Sequence, residues 1–546
     1  MFFAEIPPPP PPAIVQSAYD TRIRLNTIGF LPESPKQATV GAPCKEFNLV
    51  RVSDRAVVFT GTAAKPFQTA ASETNETVQI IDFTKFVTSG TYRLEVAGVG
   101  SSAPFTIGKT IWNEPYELAT RAMYLWRCGT AVEATWNGVT YRQAPCHTQD
   151  GWLDYVGGGH TARKSTGGWH DAGDYNKYVV NAGVSIGMML KAWEQFPKQI
   201  ATDKLGIPES GNGLPDILDE VRWEIEWLFT MQTDDGRVYH KLSARNFSYW
   251  GPAEKDDAPR YFAPWSTTAT ADFVAMMAET ARAWRPYDTA FADRCLAAAK
   301  KSWAVLVAHP KPVDPDLSAF KTGQYTAKDP AHRLWAAAEL WETTGEPEYL
   351  QAFEKNAEAF SCKFTQNGPD WGNVEDLAFA THLLSSRADQ RNPKIVERLT
   401  ASLLQQADSI VALSQKSGYA RPFGYERPSW FWGANGNVAR QTLLLHLADR
   451  IKPNPDYRAT AVHALDFLFG RNYHARSYVT GLGAKPPLHL HDRRGEPAWP
   501  GYLVGGGWPD GRSWEDKMER YDLNEIAINW NAALIYATAA FAEPAE

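Results

Sequence analysis

Hydrophobic and polar positions change period once along this chain. From about Thr21 to Ile107 they alternate in short runs: Ile23–Asn26, Phe47–Val52, Val57–Phe59, Val78–Ile81 and Tyr92–Val96, separated by Gly, Pro, Ser or Asp turns. Strands at this spacing over some ninety residues predict a β-sandwich of immunoglobulin-like type, assigned here to 21–108. From about Ile111 the period becomes helical. Apolar stripes recur near 114–127, 178–196, 215–232, 267–284, 289–308, 331–345, 347–360, 372–384, 393–413, 435–450, 455–469 and 522–541. Twelve helices are the number needed for six helical hairpins closed into an (α/α)6 barrel, assigned to 111–542. Periodicity alone does not supply that closure.

Length and composition agree with two domains. A chain of 546 residues exceeds one ordinary core, and 44% hydrophobic residues predict dense packing. The net charge of -7, without a basic cluster, argues against nucleic acid as a partner. No apolar run reaches the roughly 18 residues a membrane span needs. The 21 Trp and 22 Tyr are more than a core usually requires, leaving two uses open: helix packing, or flat faces on which sugar rings stack. The first 20 residues read as a Pro-rich arm in which Pro7–Pro12 form a polyproline II spacer. The opening Met1–Ile6 lacks the basic and apolar regions of a secretory signal. Cys44, Cys295 and Cys362 are isolated and are expected to be small buried apolar residues.

The segment Gly167-Gly168-Trp169-His170-Asp171-Ala172-Gly173-Asp174-Tyr175-Asn176-Lys177-Tyr178 carries two carboxylates three residues apart. The intervening Ala-Gly permits a tight bend, so both acids can address one water molecule. About 350 positions later Asn524-Glu525-Ile526-Ala527-Ile528-Asn529 supplies a further acid. Carboxylates split between distant parts of a chain are what acid/base hydrolysis of a glycosidic bond requires. By residue type alone, Asp171 and Asp174 also fit a helix cap with a turn, and Glu525 a surface helical acid.

Six separated segments resolve this choice: Gly168–Asp174, Ser266–Phe273, Trp335–Leu340, Trp432–Asn435, Ser477–Gly481 and Asn524–Asn529. In this order they closely resemble glycoside hydrolase family 9, in the subgroup of cellulases with an N-terminal immunoglobulin-like domain. The resemblance covers residues 20 to 540. It implies an open cleft on an (α/α)6 barrel and hydrolysis of β-1,4-glucan with inversion. It implies Asp174 as general base, Asp171 as a holder of the attacking water and Glu525 as general acid. It places His491 and Arg493 at sugar hydroxyls, although Asp492 and Leu490 stand where relatives have His and Pro. His170, Trp265, Trp432 and Tyr521 complete the expected sugar contacts, Trp126 and Trp169 are further candidate platforms, and Trp530 stands where many relatives have Tyr. Lys177 is expected to support Asp174 if its side chain turns inward, and Ile526, Ala527 and Ile528 to desolvate Glu525.

Two metal sites are expected. Cys128, Cys146, His147 and His160, spaced C-x17-C-H-x12-H, form a donor set for a closed, structural Zn2+, which the family subgroup also carries. A Cys128–Cys146 disulfide in an oxidising compartment is the competing reading. Glu209, Asn212, Asp216 and Asp219, with backbone carbonyls, are the candidate Ca2+ ligands. The family's second calcium loop lacks its acids here, where Ala327, Ala331 and His332 stand instead.

The leading expectation is an endoglucanase acting on cellulose or a related β-glucan, secreted or periplasmic, and monomeric. An exo-acting cellobiohydrolase or cellodextrinase, an exo-glucosaminidase and a non-catalytic carbohydrate-binding protein remain as alternatives.

Overall fold

A computed structural model describes residues 19–544 apart from 202, 203 and 248. The predicted Pro-rich arm therefore lies outside the described residues except for Tyr19 and Asp20.

Two sheets face each other in the N-terminal unit. One runs in the order Ile23–Arg24, Gln37–Val40, Thr77–Asp82, Phe67–Gln68. The other runs Gly29–Phe30, Phe105–Ile107, Gly90–Val96, Glu46–Arg51, Val57–Thr62, with Gly100–Ser101 added beside Gly90–Val96. Alternation in sequence becomes alternation across the sheets: Leu49 stands opposite Leu94, and both are buried together with Val40, Phe47 and Ile81. Phe30 meets Phe83 and Phe105 edge-on at 5.3 Å between ring centres.

Long-range polar bonds fasten the sandwich to the helical unit. Asn26 donates its amide to Asp466 (3.0 Å), Thr39 its hydroxyl to the Gly418 carbonyl (2.7 Å), and Glu73 accepts from the Ser417 hydroxyl and the Gly418 N–H (3.1 Å).

Among the described residues twelve helices of ten or more residues follow, in the predicted sequence positions. Alternate members are inner and outer. Val179–Gln195 packs against Thr267–Trp284 and Ile528–Ala539, Thr267–Trp284 against Asp329–Thr344, and Asp329–Thr344 against Glu375–Leu384. Ala434–Ile451 packs against Ile528–Ala539. Inner helices are buried on every face; in Ile528–Ala539 all twelve residues are buried. Outer helices keep one apolar stripe, as in Pro393–Lys416, which buries Ile395, Leu399, Leu403, Ala407 and Ile410. Three inner helices are pinned by the buried Lys191 ammonium, which donates to Glu279 (2.6 Å) and Glu339 (3.1 Å). The architecture is an N-terminal β-sandwich followed by an (α/α)6 barrel.

One predicted helix is broken. The stripe at 522–541 divides into a turn, Tyr521–Asn524, and the helix Ile528–Ala539. Between them the backbone is extended: Glu525 bridges to His491 and Ile526 to Val504. Cross-chain pairing outcompetes helix there, and it fixes where Glu525 points. A hairpin, Val132–Trp136 with Val139–Gln143, was not predicted, although its Asn137-Gly138 turn, with φ of 49° and 78°, is legible in sequence.

Candidate active site

The cleft measures about 590 Å³ and is lined only by residues from 171 to 530, so the sandwich contributes none. Asp171, Asp174 and Glu525 all line it. Backbone bonds hold the two acid-bearing segments in register. Ile528 N–H donates to the Asp171 carbonyl (2.9 Å), Arg493 N–H to the Gly173 carbonyl (3.1 Å), and His491 N–H to the Asn524 carbonyl (3.1 Å). Gly173 is required by this docking, because a Cβ there would lie 2.1 Å from the His491 carbonyl oxygen.

Each acid has a distinct environment. Asp171 accepts from Asn181 Nδ2 on one oxygen (2.7 Å) and from the Tyr325 hydroxyl on the other (2.6 Å). Burial, followed by repulsion from Asp174, raises its pKa to about 8 against the pull of those two bonds. Asp174 accepts on Oδ2 from Asn176 and from the Tyr178 hydroxyl (3.0 Å). No protein hydrogen bond occupies its other carboxylate oxygen among the described residues, which leaves that oxygen for water. Glu525 is held well above the ordinary carboxylate range, first by burial and then by the charges of Asp174 and Asp171, opposed by Arg493 and by a hydrogen bond from the Trp432 side chain. That shift favours the protonated form, which a proton donor needs. Ile526 is fully buried and Ala527 lines the cleft, so both help to desolvate it.

The expected sugar contacts divide. Trp432 lines the cleft, and Tyr521, half exposed, meets it edge-on at 5.4 Å. His491 stands 5.9 Å from Tyr521, while Arg493 donates to the Gly173 and Tyr249 carbonyls. Trp265 packs instead against Arg237 and His309, outside the cleft lining. Trp126 and Trp169 are buried, their indole N–H groups donated to the Ala172 carbonyl and to Glu220, so neither is a platform. Lys177 turns away from Asp174 and donates to the Ser165 and Gly167 carbonyls (2.8 Å each). Residue type and spacing also failed to flag Asn181, Tyr325 and Trp371. Tyr178, four residues after Asp174 at a helix start, carried the only local signal.

The metal set requires one correction. Cys128, Cys146, His147 and His170 bring their donor atoms within 4.8 Å of one another. His160 is exposed, stacked on Trp152 and bonded to Asp154 (3.1 Å), so it is not a ligand candidate. His170 is buried and therefore belongs to this set rather than to the sugar contacts. The pairing of 126–128 with 168–170 places it here: Cys128 N–H donates to the Gly168 carbonyl and His170 N–H to the Trp126 carbonyl, 2.8 Å each. Both cysteines are free thiols, so the disulfide reading fails. Buried His147 Nδ1 has no hydrogen-bond partner, while its Nε2 faces Asp256 at 3.4 Å. Burial raises the Cys128 thiol, but the Cys146 hydrogen bond and the Lys177 and Arg260 charges bring it well below its ordinary value. Two thiols, two imidazoles and an orphaned inward nitrogen fit a tetrahedral metal.

The calcium candidates are engaged with protein groups and with one another. Glu209 is bound to Arg127 (2.9 and 3.1 Å), Asn212 donates its amide to Asp219 (3.0 Å), and Asp216 accepts from the Leu205 N–H and the Ser210 hydroxyl. His332, at the second loop, is buried against Asp272 (2.6 Å). Of the isolated cysteines, Cys295 and Cys362 are buried and Cys44 only partly so.

Residues 112–538 match the model of glycosyl hydrolase family 9, and residues 18–101 that of the cellulase N-terminal ig-like domain. The chain belongs to glycosyl hydrolase family 9. It is 51% identical over 532 residues to Endoglucanase D of Acetivibrio thermocellus, covering 96% of this chain and 84% of that protein. The crystal structure of a metagenome-derived family 9 endoglucanase superposes with a TM-score of 0.89 at 35% identity, over 95% of this chain and 99% of that one. A Zn-binding triple mutant of the family 9 endoglucanase J30 superposes with a TM-score of 0.88 at 30% identity, over 94% and 100%.

Proposed function

We propose that this family 9 chain is an endoglucanase that hydrolyses β-1,4-glucosidic bonds of cellulose or a related β-glucan with inversion. The observation that carries the reading is the convergence of Asp171, Asp174 and Glu525 on one cleft, with burial and the neighbouring carboxylates pushing Glu525 towards its protonated form. Similarity to Endoglucanase D supports endo action.

Asp174, through its unoccupied oxygen, takes a proton from the attacking water. Asp171, fixed by Asn181 and Tyr325, orients that water. Glu525 gives its proton to the departing glycosidic oxygen, and the two roles act from opposite faces of the sugar. Trp432 contacts a sugar beside Glu525, and Tyr521, His491 and Arg493 continue the wall next to it. The buried Cys128, Cys146, His147 and His170 would hold Zn2+ with no open position, so that ion supplies structure and no chemistry. Bound there, it would fix the turn that presents Asp171, the residue directly after His170.

Among the described residues no helix is long and apolar enough to cross a membrane. A polymeric substrate places the enzyme outside the cytoplasm, where one chain contains the whole site.

Product analysis on soluble cellulose tests the reading. Viscosity should fall well ahead of reducing-end release, and proton NMR should show the α-anomer first. A single small sugar accumulating from the start, or a β-anomer product, would overturn it.

A further inference from the structure

Most of the large rings in this chain are buried, but a connected few are not. Phe247 is 50% exposed and Trp250 47% exposed, and their rings lie 5.2 and 5.5 Å from the Arg493 guanidinium between them. Phe247 lines the cleft, and Trp250 meets His491 edge-on at 5.2 Å. His491 is backbone-paired with Glu525, so these rings extend the wall on the side of the proton donor. A proton donor faces the oxygen that leaves, so the sugars on its side are the departing ones.

The stretch bearing Trp250 has little regular structure, the short turn Ala253–Lys255 excepted, and leans on the Cys/His cluster. Asp256 faces His147 Nε2 at 3.4 Å, the Tyr175 hydroxyl donates to the Gly251 carbonyl (2.6 Å), and Ala253 and Tyr249 pack on Cys128, Cys146 and Tyr175. A carboxylate on the far nitrogen of a ligating histidine is how a protein fixes that ring. Here the same carboxylate fixes a segment of the cleft wall.

We propose that Trp250, with Phe247 beside it, is a stacking platform selecting for sugars on the departing side of the scissile bond, and that the Cys128/Cys146/His147/His170 cluster holds this platform in place through Asp256. The proposal rests on the endoglucanase reading above, because it takes Glu525 as the proton donor. It assigns the cluster a part in substrate selection in addition to holding Asp171.

The test compares kcat/KM on cellohexaose, which fills both sides of the cleft, with that on a nitrophenyl cellobioside, whose departing group is not a sugar. Losing one stacking surface should lower the ratio of the two values about tenfold in Trp250→Ala, while Trp250→Phe should recover part of it. Because Trp250 is half exposed, folding is not at stake. An unchanged ratio in Trp250→Ala, with both substrates cleaved by the unsubstituted enzyme, overturns the platform. Failure of that enzyme to cleave either substrate overturns the endoglucanase reading and the platform with it. For the second half, amide hydrogen exchange is followed in zinc-loaded and zinc-stripped protein. Exchange in Tyr249–Asp256 should accelerate at least about tenfold on stripping, against little change in Ile528–Ala539. Equal exchange in the two forms overturns the link between the cluster and the platform.

Discussion

Replacing Glu525 by Gln isolates the proton-donating step. Burial first, then Asp174 and Asp171, push Glu525 towards its neutral form, which a neutral amide of the same size mimics in packing and charge. What is lost is the transferable proton. General acid catalysis is worth about 10²–10⁴-fold, or roughly 3–5 kcal/mol of barrier. Because burial and the neighbouring carboxylates favour the protonated form of this acid, that factor should disappear on cellohexaose. A dinitrophenyl cellobioside, whose phenolate departs without a proton, should lose no more than about tenfold. The pH profile carries a second signature. Activity needs Glu525 protonated, so it declines as pH rises through the Glu525 pKa, and that limb should vanish in Glu525→Gln assayed on the activated substrate. The assay is steady-state kinetics on both substrates from pH 4 to 10, with melting temperature as a control. Equal losses on the two substrates, or an alkaline limb that survives the substitution, would refute the assignment of Glu525.

Three other outcomes follow from the geometry. Tyr325→Phe removes a hydrogen bond to Asp171 that favours its charged form, so kcat should fall about tenfold with KM within about twofold. The limb set by Asp171 ionisation should also move to higher pH; an unmoved profile would count against the Tyr325 bond. Stripping zinc, verified by atomic absorption, should lower Tm by on the order of 5 °C or more and slow hydrolysis without moving the pH optimum; unchanged melting would remove the structural role. Asp171, Glu224 and Asp376 each have folded pKa values raised to about 8, so the folded state binds more protons than the unfolded one. The stability they contribute is present below about pH 4 and is lost as pH rises towards 8. Tm should therefore decline across that window, and Asp376→Asn, outside the cleft lining, should flatten the decline; an equal slope in the variant would argue against the buried neutral Asp376.

Residue period alone marked the two domains and placed twelve helices, because burial of one face imposes spacing 2 on strands and 3.6 on helices. Residue type left the acids open, since Asp171 and Asp174 also fit a cap with a turn and Glu525 a surface helix, and the family resemblance assigned all three. Contacts without a local pattern stayed hidden. Tyr325 reaches Asp171 across 154 positions, and Glu525 leaves its helix because His491 and Val504 offer backbone partners that no window around 525 contains. The same limit explains His160: chain spacing favoured it, but the pairing of 126–128 with 168–170 brings His170 to the two thiols instead. Sequence therefore determined which elements form and which chemical groups are present. The tertiary structure decided which of those groups meet, because hydrogen bonding and charge repulsion act over a few ångströms of space and are indifferent to the length of chain between them.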